Sequence, residues 1–130
     1  MTLIAVTSVL AVVLALVVLL LVWSPGRPHP YLDDSGRPVP DSLSEKIRVR
    51  INGVEQGMFI KSRHASHPVL LYLHGGIPDH FLTARYPTGL DEDFTVVWWD
   101  QRGSGLSYHA GTSPASATAE QLVSDAVEVT

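Results

Sequence analysis

The stretch VLLYLHGGIPDHF, residues 69–81, indicates the fold class more clearly than any other part of this sequence. Val69 to Leu73 form a short apolar run, which is typical of a strand covered on both faces in a parallel sheet. The run ends at His74, Gly75 and Gly76. Adjacent glycines allow the backbone to approach a ligand and to adopt φ/ψ values that other residues avoid. The stretch therefore predicts a buried strand followed by a loop of special backbone geometry.

Other strands are indicated on both sides of this stretch. KIRVRIN at 46–52 alternates polar and apolar residues and predicts a half-buried strand, with residues 54–61 as the returning strand. Asn52-Gly53 favours a tight hairpin between them, because both central residues of such a turn need positive φ. FTVVWW at 94–99 is a second buried run. A hairpin followed by buried strands and intervening helices indicates an α/β sheet with an antiparallel edge.

Two helical segments accompany these strands. Residues 79–86 are compatible with a short helix, and residues 118–130 with a longer one. In the longer segment Thr118 and Gln121 have the spacing of a capping box. Its apolar residues share one face of the predicted helix: Leu122, Ala126 and Val129.

The N-terminal part of the chain is a long apolar segment. As a helix, residues 3–23 would reach roughly 31 Å, the thickness of the hydrocarbon core of a bilayer, and no charged side chain precedes Arg27. We therefore expect residues 1–24 to form a single-pass transmembrane anchor, with residues 3–23 in contact with membrane lipid. The sequence does not fix which side of the membrane the rest of the chain lies on. A cleaved signal peptide is the alternative, but the basic n-region is absent and the apolar core is too long.

Composition restricts the remaining possibilities. Residues 25–44 are rich in Pro, Gly, Ser and Asp, which predicts an exposed linker before a domain at 45–130. The formal net charge of −4 argues against a nucleic-acid partner. His64 and His67 share a polar loop, but no third ligand has a suitable spacing, so we expect no metal and no cofactor.

Two motifs together carry a resemblance to a known family. The loop HGG at 74–76 and the later segment at 100–107 resemble the proline iminopeptidase-like branch of the α/β-hydrolases, which carries an HGGPG-type loop followed by D-Q-R-G-x-G-x-S. The matching residues of the second motif are Asp100, Gln101, Arg102, Gly103, Gly105 and Ser107. The resemblance covers about residues 45–130 and implies the N-terminal part of an α/β-hydrolase fold, an incomplete domain.

The resemblance also implies roles for individual residues. Gly76, with Gly75, would present a backbone N–H to an oxyanion, and His74 would support this loop. The DQRG motif, which includes Gln101, would be architectural. Asp100 and Arg102 would hold neighbouring loops by charged hydrogen bonds, and Gly103 and Gly105 would allow the turn. Family loops continue with Pro-Gly where this chain has Ile77-Pro78. Either the pair is replaced or two residues are deleted.

The implied reaction is acyl transfer to water through a serine nucleophile, with a small ester, amide or peptide as substrate. The nucleophile of this fold occupies a G-x-S-x-G turn, and the acid and histidine follow it. No such pentapeptide occurs among the 130 residues, so we expect the triad beyond Thr130. Ser107 and Ser113 come nearest but lack the strand-to-helix context. The alternative is a non-catalytic, membrane-tethered remnant or pseudoenzyme, and whether this chain is itself an enzyme stays open here.

Overall fold

The structure is a computed structural model of the chain, and it describes residues 2–23, 26, 28–83 and 85–130. Its helices and strands follow in the order α1 (Thr2–Trp23), β1 (Leu43–Ile51), β2 (Val54–Ser62), β3 (Val69–Leu73), α2 (Leu90–Asp93), β4 (Thr95–Trp99) and α3 (Ala119–Val129). Short 3-10 turns lie at His80–Leu82, Gly105–Ser107 and Pro114–Ser116.

The strands form one sheet in the order β1-β2-β4-β3. β1 and β2 pair antiparallel, as do β2 and β4, whereas β3 and β4 are parallel. The hairpin turn has φ of 44° at Asn52 and 79° at Gly53, as the Asn-Gly pair predicts. The predicted α/β class, with an antiparallel edge beside a parallel pair, is confirmed.

The core lies between the sheet and α3. Ile51, Met58 and Trp99 are buried there, with Ala126 and Val129 of α3 packed against them. The predicted cap also forms, because the Gln121 backbone N–H donates to Thr118 Oγ1 over 3.2 Å. The helix therefore begins where the sequence predicts it, and two residues of its apolar face, Ala126 and Val129, pack on the core of the sheet.

Two local expectations differ from the structure. β3 is not covered throughout: 72% of Val69 and 53% of Leu73 are exposed, because no described element packs over their side chains on the faces of the sheet. The predicted helix at 79–86 reduces to one 3-10 turn, and Ala84 lies outside the described residues. The short helix α2 was not predicted; it starts after Gly89, whose φ is 72°.

The proline-rich segment folds back onto the domain. The Tyr31 hydroxyl donates to the Asp91 carboxylate beside α2, and Lys61 Nζ lies 3.3 Å from that carboxylate and 4.5 Å from the centre of the Tyr31 ring. Burial raises the pKa of Tyr31, and the bond to Asp91 raises it further. β1 already begins at Leu43, inside the segment predicted as linker. Ser24, Pro25 and Arg27 lie outside the described residues.

The membrane expectation finds no support in the helices of the structure. Within the residues that the structure describes, none of the helices combines the length and the apolar character needed to cross a bilayer. Met1 and Ser24, at the ends of the expected anchor, are outside the described part.

Candidate active site

The two sequence motifs meet at one edge of the sheet. His74 follows β3 and Asp100 follows β4, and the carboxyl ends of parallel strands lie side by side. The Gln101 side-chain amide donates to the His74 carbonyl over 3.2 Å and so joins the two loops directly. The site is therefore built from residues that are 27 positions apart in the chain.

The imidazole of His74 is buried between these loops. Its Nδ1 accepts the Gly76 backbone N–H over 3.0 Å. Its Nε2 lies 3.1 Å from Ser104 Oγ and 3.2 Å from the Gln101 backbone nitrogen. Contacts from both ring nitrogens to different loops give His74 the geometry of a loop support.

Both glycines of the HGG loop are exposed, and Gly76 has a φ of 104°, where a side chain would strain the backbone. A Cβ at Gly75 or Gly76 would meet no atom within 4 Å, so the space beside the loop is open. The Gly76 N–H, however, already has His74 Nδ1 as its acceptor. An oxyanion would have to replace this bond to use the same N–H.

Asp100 holds the turn of the second motif. It is buried, and its Oδ2 accepts the Leu106 backbone N–H over 2.7 Å. A Cβ at Gly105, whose φ is 44°, would lie 2.2 Å from the same oxygen. Glycine at this position is therefore required both by backbone conformation and by space.

Ser107 is a structural tie between this motif and β2. Its hydroxyl donates to the Asp100 carbonyl and accepts the Gly57 backbone N–H over 2.8 Å. The residue is fully buried. This geometry favours the architectural interpretation of Ser107, because a nucleophile must be able to reach a substrate.

Arg102 pairs with a residue that the motif did not identify. Its Nε and Nη2 donate to the two carboxylate oxygens of Asp125 on α3, over 2.8 and 2.9 Å. Both residues are buried, and this bidentate geometry is the strong form of such a pair. The charged hydrogen bonds expected of Arg102 thus reach α3, while Gly103, with a φ of 80°, turns the chain after it.

Asp125 collects further donors from three elements. Asn52, Gln56 and Gln121 each donate a side-chain amide to it, over 2.9, 2.8 and 2.8 Å. Burial by itself raises the pKa of Asp125, but the hydrogen bonds from Arg102 and these amides outweigh it and hold the pKa well below its usual range. Sequence reasoning missed this cluster. The one indication in the sequence was that Asp125, a carboxylate, lies on the same predicted helix face as the apolar residues of α3.

Three of the remaining histidines, His64, His67 and His80, make ring contacts. His80 stacks on Phe59 with ring centres 3.8 Å apart, and burial followed by the nearby charge of Lys61 lowers its pKa to about 4. The rings of His64 and His67 are 5.3 Å apart. In the described part of the chain, no group of three or more His, Asp or Glu side chains is placed to hold a metal ion.

The amino-acid sequence of this chain is similar to that of a known protein. The chain is 37% identical over 95 residues to a probable aminopeptidase, YbaC, of Bacillus subtilis (strain 168). This similarity indicates a hydrolase relationship. The matched region is 72% of this chain but 30% of that relative, so the chain spans less than a third of the curated protein that it matches. No family model matches the chain, and no solved structure does.

Proposed function

We propose that this chain is the N-terminal part of a membrane-anchored α/β-hydrolase of the proline iminopeptidase-like branch, which transfers an acyl group from an ester or amide to water. The order β1-β2-β4-β3 carries the proposal, because it brings the HGG and DQRG loops together beside the carboxyl ends of two parallel strands. The similarity to a probable aminopeptidase supports a peptide amide as the substrate.

The mechanism assigns a limited part to this chain. A serine beyond Thr130 attacks the carbonyl carbon, and negative charge develops on the carbonyl oxygen. Backbone N–H groups of Gly75 and Gly76 stabilise that charge, for which the open space beside the loop supplies room. Gly76 contributes after its N–H exchanges His74 Nδ1 for the substrate oxygen.

A non-catalytic remnant or pseudoenzyme is the second candidate. The bond from the Gly76 N–H to His74 favours it, because an oxyanion donor that is already satisfied inside the protein stabilises a transition state less. The Ile77-Pro78 pair, where family loops carry Pro-Gly, favours it as well.

Labelling and kinetics separate the two candidates. In the complete gene product that contains residues 1–130, we expect a fluorophosphonate probe to label one serine and an aminoacyl ester or anilide to be hydrolysed. Gly76→Ala is expected to lower kcat roughly 100-fold, since it misplaces an oxyanion donor. Gly36→Ala is the matched control: its φ is also positive, at 76°, with open space around it, but it lies in the proline-rich segment.

Each contrary outcome has a definite meaning for this proposal. A complete gene product that neither binds the probe nor hydrolyses these substrates would leave the remnant as the function. Labelling of the 130-residue chain alone, abolished by one serine substitution, would contradict both a nucleophile beyond Thr130 and the remnant. Equal losses in Gly76→Ala and Gly36→Ala would remove the oxyanion role of Gly76.

The proposed membrane attachment rests on the apolar sequence of residues 3–23 and on the exposure of α1, although none of the described helices qualifies as a membrane-crossing helix. The helix α1 has 22 residues, and its side chains from Val6 to Val22 are all exposed. An exposed helical surface of this composition fits lipid better than water. Residues 3–23 are therefore the proposed contact with lipid.

Alkaline carbonate extraction tests the attachment. We expect the chain to remain in the membrane pellet with its N-terminus uncleaved, and Leu14→Lys with Val17→Lys to move it to the supernatant, because each charge costs about 3 kcal/mol in a bilayer. Val49→Lys, in β1, is the control and should leave the distribution unchanged. Extraction of the native chain by carbonate would contradict the attachment, and a mature chain that starts near residue 24 would indicate a signal peptide.

A further inference from the structure

The two nitrogens of the His74 ring have more donors around them than a neutral imidazole can serve. The Gly76 N–H points at Nδ1, and the Gln101 backbone N–H points at Nε2. A neutral imidazole has one protonated and one accepting nitrogen. His74 can therefore hold only one of these two backbone N–H groups, and the position of its proton decides which.

The hydrogen bonds of Ser104 determine which nitrogen of the His74 ring carries the proton. The Ser104 hydroxyl donates to the Gln101 carbonyl over 2.6 Å, so its hydrogen is already committed. The Oγ of Ser104 is then available only as an acceptor for His74 Nε2, which lies 3.1 Å away. An acceptor beside Nε2 favours the proton on that nitrogen and leaves the lone pair on Nδ1 for Gly76.

The two tautomers differ in the number of bonds that they satisfy. With the proton on Nε2, the ring donates to Ser104 and accepts from Gly76, over 3.1 and 3.0 Å. With the proton on Nδ1, the ring accepts from Gln101 over 3.2 Å, and two N–H groups face each other between His74 and Gly76. Each tautomer opposes one backbone N–H to a ring N–H: that of Gln101 in the first, that of Gly76 in the second. The first tautomer is favoured because it makes both of the shorter contacts, whereas the second makes only the longest of the three.

We propose that Ser104 is a positioning residue of the HGG loop: it fixes the Nε2-protonated tautomer of His74, and the ring in turn sets the orientation of the Gly75–Gly76 peptide. Ser104 stands at the variable position between Gly103 and Gly105 of the second motif, so the motif alone gives it no role. The inference rests on the proposed function only for its consequence, which is control of the N–H offered to an oxyanion.

The tautomer can be read directly by nitrogen-15 NMR of the histidine rings in the full chain, with the His74 signals assigned by their loss in His74→Gln. We expect a protonated Nε2 and an accepting Nδ1 in the native protein. In Ser104→Ala the proton should move toward Nδ1, and hydrogen exchange at the Gly76 amide should become about threefold to tenfold faster, because that amide loses its acceptor. Ser104→Thr, which keeps the hydroxyl, should restore both signals.

Ser116 provides a matched control for the serine substitution. Its hydroxyl donates to the Ser113 carbonyl over 2.7 Å, the same local bond that Ser104 makes, but it has no contact with His74. Ser116→Ala should therefore leave the ring signals unchanged. A native ring protonated on Nδ1 overturns the proposal, and so does a Ser104→Ala variant with native ring and amide signals. If Ser104→Ala fails to fold, the native tautomer and the Ser104→Thr spectrum decide. None of these signals depends on hydrolysis, so the outcome is independent of whether the proposed activity is found.

Discussion

Replacement of Asp125 by alanine is expected to lower the free energy of unfolding by about 3–5 kcal/mol. The variant would leave the guanidinium of Arg102 buried without a counter-charge, and it would remove an acceptor from Asn52, Gln56 and Gln121. The penalty is large because a buried charge or amide that has lost its partner keeps its full desolvation cost. We expect this to be the most damaging single substitution in α3.

Urea unfolding of the full chain, followed by the fluorescence of the buried Trp98 and Trp99, measures this effect. Glu128→Ala is the control, since Glu128 is an exposed carboxylate on the same helix, and it should change stability by less than about 0.5 kcal/mol. A loss below about 1 kcal/mol in Asp125→Ala would show that the pair with Arg102 does not form as described.

The pair also has a pH signature with a definite sign. The pKa of Asp125 is lower in the folded protein than in the unfolded chain, where it is about 3.9. The ionised carboxylate therefore contributes its full stabilisation above about pH 3.9, and this contribution is lost as the pH falls from there through the pKa of the folded state. Asp125→Asn cannot titrate and should lack this acid-side decrease. Identical acid unfolding of the native chain and Asp125→Asn would contradict the depressed pKa.

Local signals were sufficient for much of the fold. The Asn52-Gly53 turn and the cap at Thr118 act within a few residues of the chain, and both appear in the structure as predicted. The alternating segment forms a strand as predicted, but β1 runs from Leu43 to Ile51, and Val49 on its apolar face is 38% exposed. Motif order also placed the HGG and DQRG loops on the ends of two strands. The sheet then brings them together because β3 and β4 are parallel neighbours.

What the sequence did not reveal depends on contacts between distant segments. Asp125 is one charged residue among several in α3, and only the approach of Arg102 and the hairpin distinguishes it. The proline-rich segment has the composition of a linker, yet Tyr31 is fixed by Asp91, which is 60 positions away. The role of Ser104 likewise depends on its contact with the His74 ring, which belongs to a different loop.

Gly57 is the clearest case in which local and tertiary arguments differ. As a glycine within a strand it suggests a weakened β2. In the structure its N–H donates to Ser107 Oγ over 2.8 Å, and its carbonyl accepts the Asp100 N–H over 3.0 Å. The absence of a side chain at this position allows the second motif to lie directly on the sheet.

Gly57→Ala is therefore expected to destabilise the chain by about 2–3 kcal/mol, the cost of overpacking a site that cannot relax. The added Cβ would lie 2.3 Å from Leu106 Cβ, which is fixed to the backbone and cannot rotate away. The segment that carries Ser104 must then lift from β2, so the His74 ring signals should change along with stability. Urea unfolding and the ring spectra measure the two effects.

Gly111→Ala is the control for this substitution, because a Cβ there would meet no atom within 4 Å. A second test combines Gly57→Ala with Leu106→Gly, which removes the opposing carbon. Since the two residues are in contact, the double variant should lose less stability than the sum of the single variants. Strict additivity, or a Gly57→Ala variant as stable as Gly111→Ala, would mean that the DQRG loop is not seated on β2. The structural basis for bringing Gln101 and Ser104 to His74 would then be lost, because both residues reach the imidazole from that loop.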